Sequence, residues 1–254
     1  MLVTLAASTA SGAVKTREIE YKQAGTGTPL KGMIAWDDAQ TGKRPGVLVV
    51  HEWWGLNEHA RTAARKLAEA GYVGFALDMY GNGQSTEHQH DAEAMMNAAM
   101  KDPAAIAARF NAALAQLKQD PHVDASKVAA MGYCFGGAVV LNMARAGADL
   151  SGVVSFHGIL ATQAPMQKGK FKGKVCVFAG NRDPFVPVAD VENLRKEMNT
   201  AGVPVVVKVY NAMHGFTNPN AAKYGMKELE YSPDAAKDSW DTALGFFKEI
   251  FGTA

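Results

Sequence analysis

The stretch Met131-Gly132-Tyr133-Cys134-Phe135-Gly136-Gly137 constrains this chain more than any other. Glycines on both sides of Cys134 let a backbone turn sharply from strand to helix where a Cβ would clash. The apolar run Lys127–Met131 ahead of it suits a buried parallel strand, and Gly137–Ala144 after it suits a buried helix. The pattern reads as a nucleophile elbow with cysteine in place of the usual serine. A side chain on that turn stands at a helix N-terminus, where the dipole and unpaired N–H groups favour negative charge. An enzyme is implied.

From Arg17 onward, strand and helix signals alternate. Arg17–Gln23 and Leu30–Trp36 read as two antiparallel strands around a Gly/Thr turn, and Gly46–His51 and Tyr72–Leu77 as buried strands. Helices are expected over Asp91–Met100 and Pro103–Gln119, the latter with Ile106, Phe110, Ala113, Leu114 and Leu117 on one face. After the elbow come strands Gly152–Phe156, Lys174–Ala179 and Val203–Tyr210, a helix containing Val191 and Leu194, and a final helix from Pro233. This order predicts an α/β fold, a mostly parallel central sheet with helices on both faces. Residues 17–254 read as one domain, and residues 1–16 as a tail or signal-peptide remnant. Two polar stretches, Gly81–Asp91 and Gln163–Gly173, are expected to rim the pocket.

Composition narrows the function classes. The chain has 254 residues, 48% hydrophobic and 20% charged, with a formal net charge of +1. With no long basic run, nucleic acid is not an expected partner, and no apolar stretch reaches the roughly 20 residues of a membrane helix. Cys134 and Cys176 are too few for a disulfide framework. The expected compartment is the cytoplasm, or the periplasm if residues 1–13 end a longer signal.

An elbow nucleophile needs a base, and a group to orient that base. Asp183, in Gly180-Asn181-Arg182-Asp183-Pro184, follows an apolar strand and suits the orienting acid. A turn or helix-cap aspartate is the plainer reading. His214, in Met213-His214-Gly215-Phe216, follows the last strand and suits the base; an exposed loop histidine is its plainer reading. Acyl transfer also needs two N–H donors for the developing oxyanion. Phe135, next after the nucleophile, offers one, and Trp53, in the loop after the strand ending at His51, offers the other. Glu52 stands beside the thiol as a proton acceptor, or else as a loop residue paired with a basic side chain. Cys176, mid-strand, reads as inert, His51 as ordering the site backbone, and His59 as solvated. His88 and His90 lack an evident third metal ligand.

Taken together, His51-Glu52-Trp53-Trp54-Gly55, Asp78-Met79-Tyr80-Gly81, Gly132-Tyr133-Cys134-Phe135-Gly136-Gly137, Asp183 and His214-Gly215-Phe216 resemble the dienelactone hydrolase (carboxymethylenebutenolidase) family over roughly Arg17 to the C-terminus. The resemblance implies an α/β-hydrolase fold and no cofactor, and the residues themselves suggest no metal site. It implies a Cys134–His214–Asp183 triad that cleaves small-molecule esters or lactones through a thioester, with Glu52 as thiol-proton acceptor. Members acting on the carboxylated dienelactone hold its carboxylate with arginines, which are not found after His214 or Tyr80. Trp54, Tyr80, Phe185 and Phe216 are instead expected to line an apolar pocket. A thiolate with two donors is also chemically able to attack phosphorus in activated triesters, a promiscuity that no residue indicates, and the chain is expected to be a monomer or homodimer. The alternative is a non-catalytic relative that binds a small ligand.

Overall fold

The computed structural model describes residues 13–252; the tail or signal remnant expected over residues 1–12 lies outside the described residues. Eight strands form one sheet: β1 (Val14–Lys22), β2 (Pro29–Asp37), β3 (Arg44–Val50), β4 (Val73–Leu77), β5 (Val123–Tyr133), β6 (Gly152–Phe156), β7 (Lys174–Gly180) and β8 (Val205–Tyr210). Their spatial order is β1-β2-β4-β3-β5-β6-β7-β8. Only β2 runs against its neighbours; the pairs from β4 to β8 are parallel. β1 starts earlier than the sequence signals indicate. Its pairing with β2 already begins at Val14 opposite Asp37, so residues 14–16 belong to the sheet rather than to a tail.

Six helices cover the sheet: α1 (Glu58–Glu69), α2 (Gln89–Met100), α3 (Pro103–Gln119), α4 (Phe135–Arg145), α5 (Val188–Ala201) and α6 (Pro233–Phe251). Alternation along β3 sends Leu48 and Val50 to one face and Val47 and Val49 to the other. The first pair packs with Phe110, Leu114, Val140 and Leu194 of α3, α4 and α5. The second packs with Ala64 and Leu67 of α1 and Phe247 of α6. Burial on both faces explains why the central strands read as unbroken apolar runs. Among the described residues no helix is long and apolar enough to cross a membrane.

The chain leaves β3 in one direction to build β4 and returns past it to build β5. The carboxyl ends of β3 and β5 therefore flank a point where strand order reverses, and open α/β sheets bind ligands in such crevices. His51–Trp53 and Cys134 stand at these two ends.

Gln163–Gly173 does not rim this crevice. β6 and β7 are parallel, so the chain must travel from the top of one to the foot of the other, and residues 157–173 make that crossover without a helix. Leu160, Met166 and Phe171 are buried along it. Its backbone polar groups find side-chain partners instead of helical ones. Arg145 donates to the Leu160 carbonyl at 2.9 Å, and the Met166 N–H donates to Glu197 at 2.6 Å. Arg145 and Glu197 pair with each other, joining α4 to α5. Gly81–Asp91 does lie at the crevice end, where Ser85 bridges Gly55 and the Thr86 N–H donates to the Trp54 carbonyl.

The turn after β5 depends on close backbone approach. A Cβ on Gly132 would lie 2.2 Å from the Gly136 oxygen, and one on Gly136 would lie 2.4 Å from the Val50 oxygen. Neither neighbour is a side chain that can rotate away. Gly136→Ala should lower stability by about 3 kcal/mol, at the upper end for overpacked sites. Urea unfolding would read this; an unchanged midpoint would mean that α4 tolerates displacement from β3.

Candidate active site

Cys134 has φ 52° and ψ −116°, a conformation that non-glycine residues rarely hold and one that costs about 1–3 kcal/mol. Its N–H donates to the Phe156 carbonyl at 3.0 Å, anchoring the turn to the end of β6. Phe135 is the first residue of α4, so its own N–H has no intrahelical acceptor. Cys134 is part-exposed, whereas Cys176 is buried in β7 and its thiol is pushed up to about 12 by burial.

Asp183 and His214 arrive from the loops after β7 and β8, and both are buried. His214 Nδ1 donates to Asp183 Oδ2 at 2.7 Å, while Asp183 Oδ1 accepts the Phe185 N–H at 2.8 Å. Cys134 lies close enough to the ring for its charge to act on it. Burial works against a charge on His214, but the negative charge of Cys134, the Asp183 hydrogen bond and the Asp183 charge outweigh it and raise the group from 6.5 to about 10. Cys134, Asp183 and His214, separated by 31 or more positions in the chain, thus come together at one end of the sheet.

A second histidine sits against the first. The His157 ring lies 5.0 Å from that of His214, edge to face, and His157 is held well below the ordinary imidazole value by burial and by the charges of His214 and His59. It exchanges a hydrogen bond with Thr217 Oγ1 at 2.8 Å, which ties the loop after His214 to the end of β6. Burial and the neighbouring charge thus favour the neutral form of His157.

Glu52 has a partner other than the thiol. Its Oε2 accepts from Asn218 Nδ2 at 2.7 Å, and His59 Nδ1 lies 3.5 Å away. A buried carboxylate needs donors, and Asn218, four residues after His214, supplies one where an arginine was not found. His59 is not the solvated residue that its place near a helix start indicates; its ring packs 4.6 Å from that of Tyr133. Thr217, Asn218 and His59 had no signal in the sequence beyond proximity to His214 or to the start of α1.

The four aromatic residues expected to touch substrate separate into two groups. Phe185 is exposed, with its ring 5.1 Å from that of His214, and Tyr80 packs against Phe135 at 5.5 Å near Cys134. Trp54 and Phe216 are core instead. Trp54 stacks flat on Tyr224 at 3.8 Å, and Phe216 is enclosed by His157 and Tyr210. Side chains next in sequence to a site residue point elsewhere once the backbone turns. Among the described residues no three His, Cys, Asp or Glu side chains gather as a metal-holding group, His88 and His90 included.

Eight mostly parallel strands, helices on both faces and a cysteine on the strand–helix turn define an α/β-hydrolase. Residues 30–251 match the model of the dienelactone hydrolase family, and the chain belongs to that family. It is 31% identical over 240 residues to Protein usf of Aquifex pyrophilus, covering 91% of this chain and 97% of the relative. The solved structure of m3DLH is 39% identical, with a TM-score of 0.89 over 94% of this chain and 100% of that one. A dienelactone hydrolase-like promiscuous phosphotriesterase from metagenomic libraries is 36% identical, with a TM-score of 0.88 over 95% of this chain and 100% of that one. The protein is a hydrolase of this family.

The raised value at His214 is open to direct measurement. Nuclear magnetic resonance titration of its ring should give a midpoint near 10 in the wild type and a lower one in Cys134→Ala, since the charge at Cys134 is the largest influence raising it. The folded value exceeds the ordinary 6.5, so the stability this contact supplies is fully present below about pH 6.5 and is lost as pH rises toward 10. A midpoint near 6.5 in both proteins would show that Cys134 carries no charge beside the ring.

Proposed function

We propose that the chain is a thiol-dependent esterase and lactonase acting on small neutral substrates through a thioester at Cys134. The observation that carries this reading is the position of His214, hydrogen-bonded to Asp183 at 2.7 Å and close enough to Cys134 for the charge there to raise it. His214 takes the thiol's proton, giving a thiolate opposite an imidazolium. The thiolate attacks the ester carbonyl, and the oxygen that gains the electron pair is held by the N–H groups of Phe135 and Trp53. The tetrahedral species collapses, the C–O bond to the leaving group breaks, and His214 gives its proton to the departing alkoxide. A thioester remains. Water then attacks with His214 as base, and the acid departs as the thiolate re-forms. Asp183 keeps the ring oriented and balances its charge throughout.

Glu52 serves as an alternative proton acceptor only if it leaves Asn218. While that hydrogen bond holds, the carboxylate braces the loop that carries His214. The pocket favours neutral over carboxylated substrates. One arginine does reach the Asp78–Gly81 segment, from α3, but Arg109 donates to the Met79 carbonyl at 2.6 Å and to Gln23 at 2.8 Å. A guanidinium so engaged is poorly free to clamp a carboxylate bidentately. Activated phosphotriesters enter the same scheme, with the thiolate attacking phosphorus; the similarity to a promiscuous phosphotriesterase supports this extension.

Rapid mixing with a panel of 4-nitrophenyl esters tests the proposal. The wild type should release a stoichiometric burst of 4-nitrophenol, and Cys134→Ala should show no burst and turnover lower by roughly 10⁴-fold or more. Equal turnover in the two proteins would remove Cys134 as nucleophile.

A further inference from the structure

Accepting Trp53 and Phe135 N–H as the oxyanion donors, we propose that His51 and Tyr80 are positioning residues that aim the Trp53 N–H. The mechanism above assigns neither residue a role in the chemistry. Phe135 needs no help, because a helix start presents its N–H by construction. Trp53 lies in a loop, where nothing in the local sequence fixes the orientation of its peptide planes.

Two side chains fix them. The buried His51 ring hydrogen-bonds through Nδ1 to the Glu52 carbonyl, and the Gly55 N–H donates to the same oxygen at 3.2 Å. In a trans peptide, N–H and C=O point in opposite directions. Holding the Glu52 carbonyl on one side therefore turns the Trp53 N–H to the other. The next plane is held by the Tyr80 hydroxyl, which donates to the Trp53 carbonyl at 3.0 Å. Both planes that flank the Trp53 Cα are thus pinned by side chains from the ends of β3 and β4.

The protonation of both side chains is also set. His51 Nε2 accepts the Met79 N–H at 3.2 Å, so Nδ1 carries the proton that reaches Glu52. Burial holds the His51 ring below its ordinary value and the Tyr80 phenol above its own, with Cys134 adding to the latter. Each stays neutral, with its donor intact. The two rings pack together at 4.8 Å and both meet Phe135, at 6.0 Å and 5.5 Å, so the cluster that orients one donor rests on the residue that supplies the other.

The test uses His51→Phe, which keeps a ring but no hydrogen bond, His51→Asn, whose amide can replace the Nδ1 donor, and Tyr80→Phe. Three readings are taken on each folded protein: the acylation burst with a 4-nitrophenyl ester, Cys134 alkylation by iodoacetamide, and the amide resonance of Trp53. Alkylation uses the same thiolate but develops no oxyanion. His51→Phe should slow acylation by about 10–100-fold, the scale of a misaimed or missing donor, with KM little changed and alkylation close to the wild-type rate. The Trp53 amide resonance should move. His51→Asn should recover most of the rate and the resonance, and Tyr80→Phe should resemble His51→Phe more weakly, carrying the test if that variant does not fold. Acylation and alkylation falling together would overturn the proposal, because His51 would then act on the thiol–imidazole pair. So would an unmoved Trp53 amide in His51→Phe. A wild type that shows no burst would defeat the esterase reading instead, and the Trp53 resonance would still decide whether His51 aims this peptide.

Discussion

Between β5 and α4 the backbone has to reverse at Cys134 while the first turn of the helix lies against the end of β3. That geometry needs φ 52° at a residue with a side chain, and it needs bare glycines where Gly132 meets Gly136 and Gly136 meets Val50. Strain of about 1–3 kcal/mol at Cys134 persists because β6 takes its N–H and α4 is buried along nearly its whole length. The part-exposed thiol, the Phe135 N–H without an intrahelical acceptor and the closeness of the β3 loop all follow from this one turn. Loosening it would disperse the proposed oxyanion donors and the proposed nucleophile together.

Around the turn, charge is confined to where chemistry can use it. Two buried imidazoles lie 5.0 Å apart, yet only His214 is favoured as a cation, because Cys134 and Asp183 surround it, whereas His157 faces a hydroxyl and the charge of His214. Glu52 is satisfied by the neutral amide of Asn218 rather than by an arginine. Exposed Phe185 against His214 completes an apolar approach, consistent with small uncharged esters.

The legible part of this protein was the part written in local pattern. Apolar runs bounded by glycine and proline marked the central strands, and their succession with helices implied a parallel sheet. Boundaries were less visible: β1 extends to Val14 because β2 offers it partners, and no local signal encodes that. The Gln163–Gly173 stretch looked like a rim because it is polar, yet the parallel sense of β6 and β7 sends it down the molecule. Aromatic residues beside site residues were the least readable. Trp54 and Phe216 adjoin residues that matter, but a half-turn of backbone puts them in the core against Tyr224 and Tyr210.

Sequence alone singled out the three residues proposed as a triad, since the elbow glycines and the strand-end places of Asp183 and His214 are properties of short segments. It also determined the fold class, through periodicities that demand burial on both faces of a sheet. Tertiary structure alone decided which partners those residues take: Glu52 with Asn218, His157 with Thr217, and His51 and Tyr80 on the peptides flanking Trp53. Hydrogen bonds between groups from different strand ends depend on angles and distances set by packing of the whole sheet, and these are not written in any one segment.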